Sequence, residues 1–148
     1  MQNSSFFGKL ILSLLVLFSA VVAQAQAEGK WFNQEKSAHI EVYKGANGKL
    51  VGKIVWLKEP NDAAGKPKTD PENPNEKLRS RSRLGMVILS GLAATSTAGY
   101  WDGGTIYDPK SGKTYSLNMT AMPDGTLNLR GYLGISLIGK TQVWTKAQ

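Results

Sequence analysis

The chain has 148 residues, a formal net charge of +7, one histidine and no cysteine. That length suits one domain with one core, and the missing cysteines exclude disulfides, thiolate metal sites and thiol redox chemistry. A single histidine excludes a site built from several histidines, and the excess of positive charge favours anionic partners such as lipid headgroups, glycan acids or carboxylate ligands over neutral ones.

The first 25 residues have the three parts of a secretory signal peptide. Lys9 precedes an apolar run from Leu10 to Ala23, and small residues allow cleavage after Ala25 or Ala27. The alternative is a membrane anchor, but the run is short for a bilayer and no cationic stop follows it directly. We therefore predict an exported protein, periplasmic or secreted, that keeps no stable membrane span after cleavage and does not act on nucleic acid.

Short alternating apolar segments, separated by turn residues, predict about eight β-strands and no long helix. The predicted strands cover residues 29–33, 38–44, 49–57, 85–92, 103–107, 113–122, 126–133 and 140–146, with 93–101 as a turn or bend. Consecutive hairpins in a chain of this length favour an all-β fold, a single antiparallel up-and-down barrel that leaves no free sheet edge. A β-sandwich is the alternative.

One long polar segment, residues 58–84, interrupts the strands and carries four prolines. We call it the excursion. Within it, Asn73 is predicted to be the N-cap of a short helix, with Pro74 at the first helical position and Glu76 reaching back to the cap. A loop of this length in a small domain is usually functional or mobile, so it is expected to act as a lid or docking loop.

The stretch from Gly134 to Thr141, GISLIGKT, matches the Walker A pattern for binding nucleotide phosphates. That pattern requires a strand before it and a helix after it, and only seven residues follow. Export also removes the protein from cytoplasmic ATP and GTP. We therefore predict no nucleotide binding, and interpret Gly131, Gly134 and Gly139 as places where a strand bends, bulges or meets another backbone closely.

Three arginines alternate in the excursion, and a guanidinium binds carboxylate or phosphate through two parallel hydrogen bonds. They are expected either to clamp an anion at the barrel mouth or to pair with acidic residues of the excursion itself. Aromatic side chains are expected either to line an apolar or sugar-stacking pocket or to fill the core. The candidate ligand-binding residues are Arg79, Arg81, Arg83, Trp56, Trp101 and Tyr107.

Other titratable residues have simpler interpretations. His39 lies in a strand-like alternation and is predicted to be a strand surface residue rather than a base. Asp102 and Asp108 are either a carboxylate pair for acid–base chemistry or calcium ligands, or they cap turns beside Pro109 and the glycines, which is the preferred interpretation. Gly112 fits the left-handed position of the turn after Asp108. We assign no catalytic residue, no metal site and no cofactor.

Five segments together resemble the bacterial family called domain of unknown function 2147 (DUF2147). They are GKIVWLKEP, the D-x-x-N-P at 70–74, LRSRSRLG, WDGGTIYDPKSGKTYS and RGYLGISLIGKTQVWTK. The resemblance covers residues 29–146 and implies a small exported bacterial protein with a lipocalin-like β-barrel, but no activity and no catalytic residues. The family favours arginine where this chain has Lys146.

Gly29-Lys30-Trp31 also resembles the G-x-W of lipocalins, whose tryptophan packs against a cation from a late strand. Lys146 or Arg130 is expected to fill that role through a cation–π contact. The residues to which we assign structural roles are Trp31, Asn73, Asp108, Gly112, Gly131, Gly134, Gly139, Trp144 and Lys146.

Three functions follow from these features. The first is a noncatalytic barrel that binds an apolar or anionic amphiphilic molecule. The second is an envelope protein–protein interaction module with a filled barrel core, and the third is a carboxylate-based hydrolase. An open interior with a cationic mouth favours the ligand-binding barrel. A filled interior with an exposed apolar patch favours the interaction module, and converging carboxylates favour the hydrolase.

Overall fold

The computed structural model of the protein describes residues 26–133 and 139–148, so the predicted signal peptide and Gly134 lie outside it. The described strands form one closed antiparallel barrel in sequential order, which confirms the predicted all-β, up-and-down architecture. They are β1 (Gly29–Phe32), β2 (Ala38–Lys44), β3 (Leu50–Leu57), β4 (Val87–Ala94), β5 (Tyr100–Asp108), β6 (Lys113–Ala121), β7 (Leu127–Tyr132) and β8 (Gly139–Lys146).

Side chains alternate between the inside and the outside of the barrel because successive residues of a strand face opposite ways. In β2, for example, Ala38, Ile40 and Val42 are buried, while His39 and Glu41 face outward and are partly exposed. The inward residues of the other strands join them in one core. Its largest fully buried apolar members are Trp144, Ile40, Leu89, Leu92, Leu117, Met119, Leu127 and Val42.

The barrel closes where β1 meets β8, through the pairs Trp31↔Lys146 and Phe32↔Thr145. The indole nitrogen of Trp31 donates a hydrogen bond of 2.8 Å to the carbonyl of Ala27. Lys146 Nζ lies 4.6 Å from the centroid of the Trp31 ring, so the structure places Lys146 in the cation–π position next to this tryptophan.

The connections after β1, β3 and β5 leave the barrel at one end, which we call the mouth, and β7 ends and β8 begins at this same end. The turns after β2, β4 and β6 lie at the opposite end, together with the start of β1 and the end of β8. The excursion joins β3 to β4 and therefore lies at the mouth. Among the residues that the structure describes, no helix is both long and apolar enough to cross a membrane.

The short helix of the excursion is a 3-10 turn over Glu76–Leu78. Its N-cap is Asn75, whose side chain accepts a 3.1 Å hydrogen bond from the amide of Lys77. The predicted cap at Asn73 is therefore wrong by two residues: Asn73 is buried, its side-chain amide donates to Asp70, and its Oδ1 accepts from the amide of Asn75, which precedes the helix, rather than from a helical amide. The region 93–101 is also more regular than predicted, since β4 continues to Ala94 and β5 begins at Tyr100.

The described end of the Walker-like stretch begins a strand. Gly139, Lys140 and Thr141 open β8 and pair with Tyr132, Gly131 and Arg130 of β7, where a phosphate-binding loop requires a helix. A β-carbon at Gly139 would lie 2.6 Å from the carbonyl oxygen of Gly131. The two backbones approach closely at this point, which leaves no room for a side chain.

Candidate functional site

A cavity of about 600 Å³ lies inside the barrel and reaches the mouth. This volume falls within the range of small-molecule sites, roughly 300–1,000 Å³. Its apolar wall comes from inward-facing residues of seven strands, β2 to β8. They are Ile40, Ile54, Leu57, Ile88, Ile106, Leu117, Leu129 and Trp144.

The rim of the cavity is charged. Its cationic side chains are Lys58, Lys68, Arg83, Lys110 and Lys140, and its acidic ones are Glu35, Glu59 and Asp108. The cations outnumber the acids, so the entrance is net positive. An apolar interior beneath a cationic entrance suits a molecule with an apolar body and an anionic end.

Two of the rim lysines are already paired with acids. Lys110 Nζ lies 2.6 Å from a carboxylate oxygen of Glu35, which links the β5–β6 turn to the β1–β2 loop. Lys68 Nζ lies 3.7 Å from a carboxylate oxygen of Glu59, within the excursion. Both pairs are partly exposed to water, so their contribution to stability is small, at about 0–1 kcal/mol each.

The third rim acid, Asp108, organises the turn between β5 and β6. Its carboxylate accepts hydrogen bonds from the amide of Lys110 at 3.0 Å and from the hydroxyl of Ser111 at 2.7 Å. The turn ends at Gly112, which adopts φ +71°. Glycine is required there for two reasons. Its left-handed backbone is strained for other residues, and a β-carbon would collide with the carbonyl of Glu72 in the excursion.

A buried polar cluster fastens the excursion to the barrel wall. We call it the Asp70 cluster, and its members are Asp70, Asn73, Arg81 and Tyr107. The carboxylate of Asp70 has no exposed surface, and it accepts hydrogen bonds from Tyr107 Oη at 2.6 Å, Asn73 Nδ2 at 2.8 Å and Arg81 Nε at 2.9 Å. The guanidinium carbon of Arg81 also lies 5.4 Å from the centroid of the Tyr107 ring.

The electrostatics of the Asp70 cluster favour a charged carboxylate and a neutral phenol. Burial alone would raise the pKa of Asp70, but hydrogen bonds from Tyr107, Asn73 and Arg81, with the charge of Arg81, outweigh it and hold that pKa below its usual value. Burial, followed by the hydrogen bond to Asp70 and its negative charge, raises the pKa of Tyr107 to about 12. The cluster is therefore a structural fastening at neutral pH rather than a source of protons.

The candidate ligand-binding residues separate into two groups. Tyr107 and Arg83 line the cavity. Arg79 and Arg81 serve the excursion itself, since Arg79 Nε donates to the carbonyl of Asn73 at 2.8 Å and Arg81 binds Asp70. Arg79 also lies 3.7 Å from Glu76, an exposed pair.

The two candidate tryptophans lie away from the cavity. Trp101 is partly buried and packs against the core cluster. Trp56 is 40% exposed on the outer wall, where it contacts His39, whose ring centroid is 4.5 Å away. His39 in turn packs edge-on against Phe32 at 4.2 Å, and within the described chain its Nε2 is buried without a hydrogen-bond partner.

The acidic pair considered for acid–base chemistry does not converge. Asp102 and Asp108 lie near opposite ends of β5, about 20 Å apart along a strand of this rise. The carboxylate of Asp102 accepts a hydrogen bond of 2.8 Å from the amide of Gly103. The described residues also contain no group of three or more acidic or histidine side chains that could hold a metal ion.

Sequence reasoning missed most of the cavity. The inward positions, such as Ile40, Leu117 and Leu129, follow from the alternation, but the alternation does not say whether they meet or leave a space between them. The rim cation Lys58 directly follows the predicted strand 49–57, and Lys140 begins the predicted strand 140–146, so their position at strand ends was the available signal for them.

A family model described as "Uncharacterized protein conserved in bacteria (DUF2147)" matches residues 29–146. The solved structure of protein HP1028 from the human pathogen Helicobacter pylori, described as belonging to the lipocalin family, has 30% sequence identity and a TM-score of 0.72. The alignment covers 84% of each chain. Comparison with curated proteins gave no match.

Proposed function

Since the chain belongs to the DUF2147 family of bacterial proteins, we propose that it is an exported, noncatalytic binding protein of the envelope. Its ligand is a small apolar or anionic amphiphilic molecule, held in the barrel. The observation that carries the proposal is the cavity of about 600 Å³ with an apolar wall and a net positive rim. The lipocalin-like fold supports it, because barrels of about eight strands have room for one small ligand.

The chemistry of the wall and the rim defines the ligand class. Side chains such as Ile54, Ile88 and Leu129 offer no hydrogen bonds, so a polar molecule would lose its hydration without replacement there. The rim offers hydrogen-bond donors and positive charge through its lysines and Arg83. A ligand with an apolar body toward the core and an anionic end at the mouth satisfies both environments.

A binding role is preferred to an enzymatic one because the side chains considered as alternatives for acid–base chemistry are separated. Asp102 and Asp108 lie near opposite ends of β5, and His39 faces the outer wall. The cavity is also the reason for preferring a binding protein to an interaction module, whose barrel would be filled.

Export is part of the proposal and depends on the first 25 residues. The intact mass of the protein recovered from outside the cytoplasm tests it, and the expected species begins after Ala25 or Ala27. A membrane-bound species that retains residues 1–23 would contradict it.

Ligand binding is tested by native mass spectrometry of protein from its own host and by displacement of an environment-sensitive fluorophore with dodecanoate. Two neighbouring residues of β4 provide matched variants. Ile88 lines the cavity, whereas Val87 is 45% exposed. We expect Ile88→Trp to fill the cavity and to weaken dodecanoate binding about tenfold or more, with Val87→Trp close to wild type. Equal binding by all three proteins would place the ligand outside the barrel.

A further inference from the structure

We infer that Arg83 is the residue that makes the cavity select ligands with a carboxylate end over neutral ligands of the same shape. This inference rests on the proposed binding function and adds the chemical class of the ligand's polar end. It assigns one arginine of the excursion a role that the other two do not share.

The position of Arg83 is fixed by the excursion. Its backbone amide donates to the carbonyl of Lys68 at 2.9 Å, and its side-chain Nε donates to the carbonyl of Thr69 at 3.3 Å. The side chain is half-buried and lines the cavity. Because Nε is engaged, less conformational freedom is lost when the rest of the guanidinium binds a ligand.

The outer end of the guanidinium is available. Within the described chain, no carboxylate forms an ion pair with Arg83 and no acceptor receives a hydrogen bond from its Nη groups. Attraction to an anionic partner is stronger for an unpaired, half-buried cation beside an apolar wall than it is for a cation in open water, because water screens the buried charge less. Arg83 therefore has both the capacity and the need for an anion.

The other cations of this region are less suited to the role. Arg81 is held by Asp70 and Arg79 by Glu76 and the carbonyl of Asn73. Lys68 and Lys110 are paired with acids, and Lys58 and Lys140 are exposed. A lysine is a compact point charge, whereas an arginine presents two parallel N–H groups that match the two oxygens of a carboxylate.

The experiment compares two ligands that differ at one end, dodecanoate and 1-dodecanol. Wild type is expected to bind dodecanoate about tenfold or more tightly than dodecanol, because hydrogen bonds to charged groups contribute at that level. Arg83→Gln should remove this preference and leave dodecanol binding unchanged, which also shows that the barrel is folded. Arg83→Lys should restore it in part, and Arg79→Gln, which changes an arginine outside the cavity lining, should keep it.

The salt dependence of the preference for dodecanoate distinguishes a contribution of Arg83 from one of the exposed lysines. A preference due to Lys58 and Lys140 would disappear at high ionic strength, where exposed charges are screened, whereas the half-buried Arg83 should retain most of it. The inference is overturned if wild type binds both ligands equally, or if Arg83→Gln still prefers dodecanoate. Either result leaves the proposed binding function intact. Failure of both ligands to bind any variant would instead remove the proposed function together with the inference.

Discussion

The carboxylate of Asp70, in the middle of the excursion, lies 2.6 Å from the phenol oxygen of Tyr107, 37 positions later on β5. Asp70 has no exposed surface, so the carboxylate end of this bond is shielded from water. It ties a segment almost without regular secondary structure to a strand of the barrel, beside the cavity that Tyr107 lines. The shape of the mouth therefore depends on one buried acid.

Replacing Asp70 with asparagine should loosen the excursion and destabilise the protein by about 2–4 kcal/mol, because Arg81 and Tyr107 would lose a charged partner in a buried place. Urea unfolding measures the cost, and limited proteolysis within residues 58–84 reports the loosening. Asp62→Asn is the matched control. The carboxylate of Asp62 accepts from the amides of Ala64 and Lys66 in an exposed turn, a role that asparagine can also fill. Equal stability of the two variants would contradict a structural role for the Asp70 cluster.

The contribution of the Asp70 cluster to the free energy of unfolding should depend on pH. The pKa of Asp70 is lower in the folded protein than its usual value, so the folded state binds this proton less tightly than the unfolded state does. The resulting stability is complete above the unfolded pKa of about 4 and is lost as the pH falls through the lower folded pKa. The difference in unfolding free energy between wild type and Asp70→Asn should be constant from about pH 5 upward and shrink below about pH 4. A difference that stays constant to about pH 2 would refute this assignment.

Gly112→Ala should destabilise the protein by more than the strain of placing alanine at a positive φ. Both Gly112 and Gly125 have positive φ, at +71° and +84°, and each alanine substitution costs about 1–2 kcal/mol for that reason. A β-carbon at Gly125 meets nothing within 4 Å, whereas at Gly112 it collides with the carbonyl of Glu72. We expect Gly112→Ala to be less stable than Gly125→Ala by a further 1–3 kcal/mol or so, measured by urea unfolding. Similar values would mean that the excursion moves away from the turn without cost.

Lys146→Met should lower stability by about 0.5–1 kcal/mol, because it keeps an apolar stem over the Trp31 ring and removes the positive charge. Lys146→Arg should be close to wild type. Lys140→Met, at the other end of β8, is the control, since no ring contact of Lys140 occurs in the described part of the chain. Chemical denaturation distinguishes them, and an effect of the same size at both lysines would indicate net charge rather than the contact with Trp31.

The strands could be predicted from the sequence because their pattern is local. In β2, inward Ile40 and Val42 alternate with outward His39 and Glu41. A shift of the strand register by one residue would move every side chain to the opposite face of the sheet. Tight turns such as 45–48 then place neighbouring strands side by side. The order of the barrel follows from repeating this step along the chain.

The site could not be predicted in the same way. Arg79, Arg81 and Arg83 are equivalent in sequence, yet one binds a backbone carbonyl, one a buried acid, and one lines the cavity. Which of them reaches Asp70 depends on the path of the excursion, in which the amide of Asp70 donates to the carbonyl of Arg79. The volume left inside the barrel likewise depends on how side chains from different strands meet, a relation that no single strand encodes.

The seam between β1 and β8 has a kinetic consequence. Every other neighbouring pair of strands is consecutive in the chain, so it closes over a short loop or the excursion, whereas the pairing of Trp31 with Lys146 brings together the two ends of the barrel. Closing so long a loop costs more chain entropy, and folding slows as contacts become more distant in sequence. Closure of the seam is thus expected to be the last step of folding. Until it occurs, β1 and β8 are open edges on which another unfinished chain could add its own strand.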